Sequence, residues 1–252
     1  MTELPDFDVL LTRLAAHRGL SVEDLSRLAT VPETELRAVL DGAAPRPSLL
    51  RRLAPVLRLH AEDLFVIASV AVPPELTPLD PDAGGEAARL AMHSIGLRRR
   101  EQEWLCRFAA SRPQEERTRP APEERPYLRY PPGPGGLLMR LLANRNLGWS
   151  AGARVFLSLT GRYWSAATYG QVGHGRVDLT PELQADYATV LGMCATDLSV
   201  LTGIGLPDGH RPPPRAAAEV AGLVREVRRL SREQVRELCE VAEATGGERR
   251  TE

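Results

Sequence analysis

Residues 10–20 read LLTRLAAHRGL, and residues 137–147 read LLMRLLANRNL. A second related pair follows, in which residues 54–64 read APVLRLHAEDL and residues 188–198 read ATVLGMCATDL. The offset between matching residues grows from 127 in the first pair to 134 in the second, so the later copy carries seven extra residues. Apolar residues recur at helical spacing in every block. The chain therefore contains one helical unit twice, called here the first and second copy.

The composition excludes some classes of partner and leaves others open. The chain has 252 residues, 32 basic and 33 acidic, and every basic residue is Arg. The absence of Lys is more typical of high-GC coding than of a function. A net charge of −1 argues against a uniformly basic coat for nucleic acid, but a local basic face remains compatible with it.

The cysteines and apolar runs predict the compartment. Cys106, Cys194 and Cys239 are scattered without metal-ligand spacing, which favours a reduced, cytoplasmic setting without a metal or other cofactor. The acidic N-terminus lacks the core of a signal peptide. The longest apolar run, residues 64–72, is too short to cross a bilayer, so we expect no membrane partner.

Helix signals divide each copy into five short helices. In the first copy, Gly19 suits a helix end, Ser21 to Asp24 form a capping-box variant, and Pro32 suits a first turn. The predicted helices of the first copy are 7–16, 22–29, 33–40, 49–57 and 61–70. Those of the second copy are 137–144, 151–160, 166–172, one helix within 178–191, and 195–201.

These residues resemble the Cro/repressor (lambda-repressor-like, XRE-type) helix-turn-helix family. The matching positions in the first copy are Leu20 to Leu25, Val31, Leu36, Gly42, Pro47, Ser48, Leu53, Ala54, Leu57, Asp63 and Leu64. The resemblance implies compact five-helix domains whose third helix enters the DNA major groove, and operator binding as a homodimer. The chain departs from the family at Thr30, where Gly is usual, and at Val22, where Gln is usual.

The predicted fold is all-α, with four segments. Residues 1–72 are a degenerate Cro/repressor-like domain, and 73–135 are a linker with one long helix, 86–111, and an extended or mobile Pro-rich segment. Residues 136–206 are the second such domain, with an insertion, and 207–252 form a C-terminal helical hairpin. The hairpin is too short to stand alone, so it should dock within the chain or pair with a second subunit.

The charge pattern places the DNA-contacting face in the second copy. Residues 131–177 contain five Arg and no acid, whereas acids begin at Asp178. Gln171 suits an adenine edge, and Ala167 or the Thr168 methyl suits thymine. Gly170 either weakens the third helix or allows a close backbone approach. The candidate DNA-contacting residues of this copy are Arg140, Arg145, Arg154, Arg162, Ser165, Ala167, Thr168, Gln171 and Arg176. Tyr163, Trp164 and Tyr169 are predicted to be core aromatics.

The first copy carries a weaker set of candidates, Thr34, Arg37 and Arg46. Residues 7–47 contain five Arg and six acidic residues, so this segment has a net negative charge, whereas a domain that binds the DNA groove normally has a net positive charge. A structural or protein-binding role for this copy therefore remains open.

The predicted function is that of a cytoplasmic transcriptional regulator that binds double-stranded DNA, mainly through the second copy. The alternative is an adaptor, in which residues 1–72 or the C-terminal helices bind another protein. No enzyme is predicted, because the five His lie in different segments and no Walker loop occurs.

Overall fold

The computed structural model describes residues 3–117 and 126–247. Within these ranges the chain is helical and contains no strand, which confirms the all-α expectation for this part. None of the helices described is long and apolar enough to cross a membrane. Residues 118–125, in the predicted Pro-rich segment, lie outside the described residues.

The first copy forms five helices close to the predicted bounds. They are α1 (Phe7–His17), α2 (Val22–Ala29), α3 (Glu33–Leu40), α4 (Pro47–Val56) and α5 (Ala61–Ile67). The Ser21 hydroxyl accepts a hydrogen bond from the Asp24 amide at 3.1 Å, while the Asp24 carboxylate accepts from the Ser21 amide. Thr30 ends α2 in the left-handed region, with φ of +54°, although it carries a side chain. Helix α5 is three residues shorter than predicted, because the chain turns at Ser69 with φ of +54°.

The segment between α5 and Ser111 contains two short 3₁₀ helices, Pro74–Leu76 and Pro81–Ala83, and then two α-helices, so the prediction of one long helix over 86–111 is wrong. The α-helices are α6 (Gly84–Ser94) and α7 (Arg99–Ser111). Arg98 is extended, and its amide donates to the Glu101 carboxylate at 2.6 Å. This local cap starts a new helix where apolar periodicity alone predicted continuation.

The second copy also forms five helices. They are α8 (Pro134–Ala143), α9 (Trp149–Thr160), α10 (Ala166–Gly173), α11 (Pro181–Leu191) and α12 (Ala195–Thr202). Helix α9 has 12 residues where α2 has 8, so part of the insertion lengthens this helix. The same helix pairs pack in both copies: α1–α3, α2–α3, α2–α4 and α4–α5 correspond to α8–α10, α9–α10, α9–α11 and α11–α12.

The C-terminal helices are α13 (Arg215–Val227) and α14 (Arg232–Gly247). Gln234 accepts a hydrogen bond from the Ser231 amide at 3.1 Å, as its capping box predicts. Both helices pack against α6 and α7, and this group has its own apolar core. Of the two possibilities that the sequence left open, the structure therefore shows docking within the chain.

The two copies contact each other through equivalent helices. Helix α1 packs against α12, and α5 packs against α8. At the first contact, Arg18 Nη2 donates to Asp197 Oδ2 at 2.6 Å and to the Leu57 carbonyl at 3.2 Å. Arg18 thus joins the end of α4 in its own copy to the first turn of α12 in the other.

The second contact repeats this arrangement. Arg145 Nη2 donates to Asp63 Oδ2 at 2.7 Å and to the Leu191 carbonyl at 2.8 Å. Arg145 corresponds to Arg18 at the offset of 127. At the offset of 134, Asp197 corresponds to Asp63 and Leu191 corresponds to Leu57. Each copy therefore contributes the same Arg and the same Asp to the other.

Candidate nucleic-acid interface

Three residues that are predicted to contact DNA bases lie on one side of helix α10. Ala167 is exposed and Thr168 and Gln171 are half-buried, whereas Tyr169 and Val172 face the core. The Ser165 hydroxyl accepts from the Thr168 amide at 3.2 Å, so Ser165 caps the helix. The predicted residues Ala167, Thr168 and Gln171 therefore share the outward side, and Ser165 fixes where the helix begins.

Two glycines let aromatic rings approach the inner side of α10. A Cβ on Gly170 would lie 2.5 Å from Trp149 Cζ2, and one on Gly173 would lie 2.6 Å from Tyr130 Cε1. Trp149 Nε1 donates to the Tyr130 hydroxyl at 2.6 Å, which holds the two rings together. Gly170 thus permits a close approach, and the approaching group in this structure is the Trp149 side chain.

The chain before α8 covers a flank of α10. The backbone carbonyl of Tyr127 lies 2.9 Å from His174 Nε2, and the Tyr127 ring packs edge-on against Trp149. Within the predicted Pro-rich segment, Pro126–Leu128 is thus a short 3₁₀ helix rather than extended chain, and it packs on the second copy. Sequence reasoning missed these contacts, although two glycines three residues apart in a helix, with aromatics upstream, offered a signal.

Three of the predicted Arg residues lie on the surface of the second copy. Arg154 belongs to α9, Arg162 to the α9–α10 connection and Arg176 to the turn after α10, and all three are exposed. The Arg176 amide donates to the Gln171 carbonyl at 2.9 Å, so this turn folds back over the helix end. These three residues, with Ala167, Thr168 and Gln171, are called the second-copy basic face below.

Two acids of α11, Asp186 and Glu182, lie near Arg162 beside this face. Asp186 of α11 has a carboxylate oxygen 3.7 Å from Arg162 Nε. Burial raises the pKa of Asp186, and the Arg162 guanidinium opposes that rise. Arg162 is therefore partly neutralised, a feature that the acid-free stretch of sequence did not reveal because α11 supplies the carboxylate.

Two of the five predicted Arg residues do not belong to the exposed face. The Arg145 side chain is only 1% exposed and forms the ion pair with Asp63, so the prediction that it contacts DNA is wrong. Arg140 is half-buried, and its Nη1 donates to the Tyr130 carbonyl at 3.3 Å. The sequence did contain a sign that Arg145 could be buried, because the same Arg occurs in the first copy as Arg18. An Arg that is retained in a repeat is as compatible with a buried ion pair as with a phosphate contact.

The three aromatics expected in the core behave differently from one another. Tyr169 is buried and Trp164 is half-buried, but Tyr163 is 72% exposed. The prediction is wrong for Tyr163, because this residue lies in the connection between α9 and α10 and belongs to no buried helix face.

The candidates in the first copy are all on the surface. Thr34, Arg37 and Arg46 are exposed. Arg37 Nε donates to the Glu33 carboxylate at 3.0 Å one turn away, which offsets its charge. The surface of α3 is therefore less basic than the second-copy basic face.

Among the described residues, no group of three or more His, Cys, Asp or Glu side chains could hold a metal ion. No family model, curated protein or solved structure matches this chain. The functional argument therefore depends on the residues and geometry of this chain itself.

Proposed function

We propose that this protein is a sequence-specific transcriptional regulator that binds double-stranded DNA. In this proposal both copies are Cro/repressor-like helix-turn-helix domains, over residues 1–72 and 136–206. Helix α10 is the main reading helix and α9 is the helix that precedes it in the motif. The left-handed turns at Thr30 and Gly161, each ending the second helix of its copy, support this assignment.

The observation that carries the proposal is the second-copy basic face. Exposed Arg side chains before and after α10 suit phosphates on both sides of a groove, and they supply affinity without sequence preference. The outward Gln171 amide can donate to and accept from one adenine edge, while Ala167 and the Thr168 methyl suit a thymine methyl. Small outward side chains also let the helix backbone approach the bases closely.

An adaptor that binds another protein is the second candidate, and one observation favours it. In the second copy, Tyr163 is 72% exposed, and Leu157 of α9 is 45% exposed. Large exposed apolar side chains are common at protein interfaces, where Tyr and Arg are enriched. In that function the Arg side chains would pair with acids of the partner protein.

Selection of DNA by the full chain tests the proposal. Duplexes would be enriched from random fragments, and affinity for the best one measured over a range of salt. We expect one discrete motif and a steep fall in affinity as salt rises. Arg154→Ala, Arg162→Ala and Arg176→Ala should each weaken every sequence and reduce the log–log salt slope by about 1.

Two further variants separate base reading from phosphate binding. Gln171→Ala should relax the preference at one base pair, with a loss of roughly fivefold to a hundredfold on the best sequence. Arg236→Ala is the control, because this exposed Arg lies on α14, outside the second-copy basic face. If no sequence is enriched, the DNA function fails. A protein that co-purifies with the chain but not with Tyr163→Ala would then support the adaptor.

A further inference from the structure

We infer that one chain carries both halves of a two-half-site DNA reader, so that a monomer binds an inverted pair of unlike half-sites. This inference rests on the proposed function. It replaces the homodimer that the family resemblance implies with a dimer-like arrangement inside one chain. The evidence is the reciprocity of the contacts between the two copies.

The reciprocity extends beyond the Arg–Asp pairs to the residues beside them. Asn144 Nδ2 donates to Asp63 Oδ1 at 3.0 Å, and His17, its counterpart at the offset of 127, lies 3.4 Å from Asp197 Oδ1. Backbone geometry corresponds too, since Gly19 and Asn146 both have positive φ, as do Arg58 and Gly192. Two consecutive side chains of each copy therefore meet the same Asp of the other.

Reciprocal contacts of this kind define the symmetry. If the second copy followed the first by translation or by a small rotation, α12 could meet α1, but α5 and α8 would be left apart. Here both pairs pack, and both carry the same ion pair. The operation that superposes the first copy on the second must therefore also return the second to the first, which is an approximate twofold rotation.

The twofold relation determines how α3 and α10 lie. Two points related by a twofold axis lie at the same height along the axis and on opposite sides of it. Helices α3 and α10 therefore lie at the same height, and their directions perpendicular to the axis are opposite. Inverted half-sites on B-DNA are related by the same symmetry, with the twofold axis perpendicular to the duplex. A homodimeric DNA-binding protein matches the symmetry of its operator with two chains. In this protein, a single chain has the same symmetry.

The faces that make this contact are already occupied. Asp63 is 0% exposed and Arg145 is 1% exposed, and the Asp197 side chain is also buried. A second chain cannot use these residues of α5, α8 and α12 without opening the contact between the copies. We therefore expect the chain to be monomeric and to need no partner for the second half-site.

The two half-sites should differ in sequence and in strength. The outward side of α10 carries Ala167, Thr168 and Gln171, whereas α3 carries Thr34 and an Arg37 that is paired with Glu33. The second copy should therefore contribute the stronger, sequence-selective half-site, and the first copy a weaker one. Even a weak second contact raises affinity, because the first one holds it at a high effective concentration.

The test combines stoichiometry with a footprint on the best selected duplex. Light scattering should give the mass of one chain, 27.6 kDa, in free solution, and one chain per bound duplex. The footprint should cover two inverted half-sites with centres about 10 base pairs apart. Arg37→Ala should reduce protection of the weaker half only, and Gln171→Ala should act on the stronger half.

A change of spacing gives a second test. Inserting about five base pairs between the half-sites turns one half to the opposite side of the duplex. Affinity should then fall to that of a duplex with the stronger half-site alone. Two chains per duplex, or one chain that protects a single half-site and ignores the insertion, would overturn this inference and leave the proposed DNA function intact. If no duplex is selected, the proposed function fails and this inference fails with it.

Discussion

At the scale of single residues, the two equivalent aspartates differ in their surroundings. Burial opposes ionisation of Asp63, but the Arg145 guanidinium and the Asn144 amide outweigh it and lower the pKa of this carboxyl. Burial raises the pKa of Asp197, and Arg18 and His17 offset that rise only in part. The Arg18 side chain is 18% exposed, so its charge is shared with water. The same repeated pair is therefore fully desolvated on one side and partly hydrated on the other.

Replacing each aspartate should show this difference. Asp63→Asn leaves the buried Arg145 charge without its counter-charge, which we expect to cost about 3–5 kcal/mol in the free energy of unfolding. Asp197→Asn should cost less than about 1 kcal/mol, because this site already favours an uncharged carboxyl and Arg18 can turn towards water. Urea denaturation of both variants at pH 7 measures the two values. Equal losses would contradict the idea that the two sites differ in hydration.

The two sites should also respond to pH with opposite sign. The pKa of Asp63 is lower in the folded than in the unfolded chain. Its stabilising contribution is therefore complete above pH about 4 and lost as pH falls through the folded value. The pKa of Asp197 is raised, so the folded chain holds this proton more tightly. Compared with Asp197→Asn, the wild-type chain should therefore gain stability as pH falls towards 4. Denaturation curves between pH 7 and 3 measure both differences.

At the scale of helices, close packing determines what α10 can tolerate. Glycine is normally a poor helix residue, because its backbone loses the most freedom on folding. Gly170 is nevertheless required where Trp149 lies against the helix, since no Cβ fits between them. The same aromatic contacts hold the helix from its inner side and leave Ala167 and Gln171 facing outwards.

Gly170→Ala should destabilise the protein although alanine favours helices. The new Cβ would overlap the Trp149 ring, which is hydrogen-bonded to Tyr130 and cannot turn away freely. We expect a loss of about 1–3 kcal/mol from overpacking. Gly222→Ala in α13 is the matched control, because no atom lies within 4 Å of its Cβ position. That variant should be stabilised by up to about 1 kcal/mol. Thermal unfolding that moves both variants in the same direction would refute the packing argument.

At the scale of the whole molecule, the two copies and the remaining helices form one connected body. Helix α6 contributes Ala88 and Ala91 to the larger core and Leu90 to the core it shares with α7, α13 and α14. A buried polar junction adds a second connection. Glu62 of α5 pairs with Arg225 and Arg228 of α13, and Arg228 Nη1 also donates to the Asn144 carbonyl of the second copy at 3.2 Å. Helices α6 and α7, from the segment predicted as a linker, are therefore part of the packed structure.

Leu90→Ala tests whether this body unfolds as a unit. Leu90 is fully buried, and its truncation should cost about 2–5 kcal/mol. Hydrogen exchange should then accelerate in α9 of the second copy as well as in α14, because α6 packs against both. Met92→Ala, on the exposed side of the same helix, should change stability by less than about 0.5 kcal/mol. Faster exchange that is confined to α14 would indicate that the group formed by α6, α7, α13 and α14 opens independently of the two copies.

Local signals predicted most of the helices and failed where distant contacts decide. Ser21 with Asp24 and Ser231 with Gln234 start helices through bonds that span three residues, so their positions follow directly from the sequence. Arg145 and Arg154 both lie in an acid-free stretch, and nothing local distinguishes the buried one from the exposed one. Tyr163 and Tyr169 present the same difficulty, because burial depends on which side of the chain meets the core.

The sequence by itself determined the repeated helical units, their caps and the excess of Arg in the second copy, because these depend on residue type and short spacing. Only the tertiary structure decided that Asp63 neutralises Arg145, that Asp186 lies beside Arg162, and that the middle and C-terminal helices share a core. Each of these contacts joins residues far apart in the chain, and the free energy that stabilises it appears only once both segments have folded and excluded water. The pairing of the two copies belongs to the same class, since the Arg of each copy binds the Asp of the other.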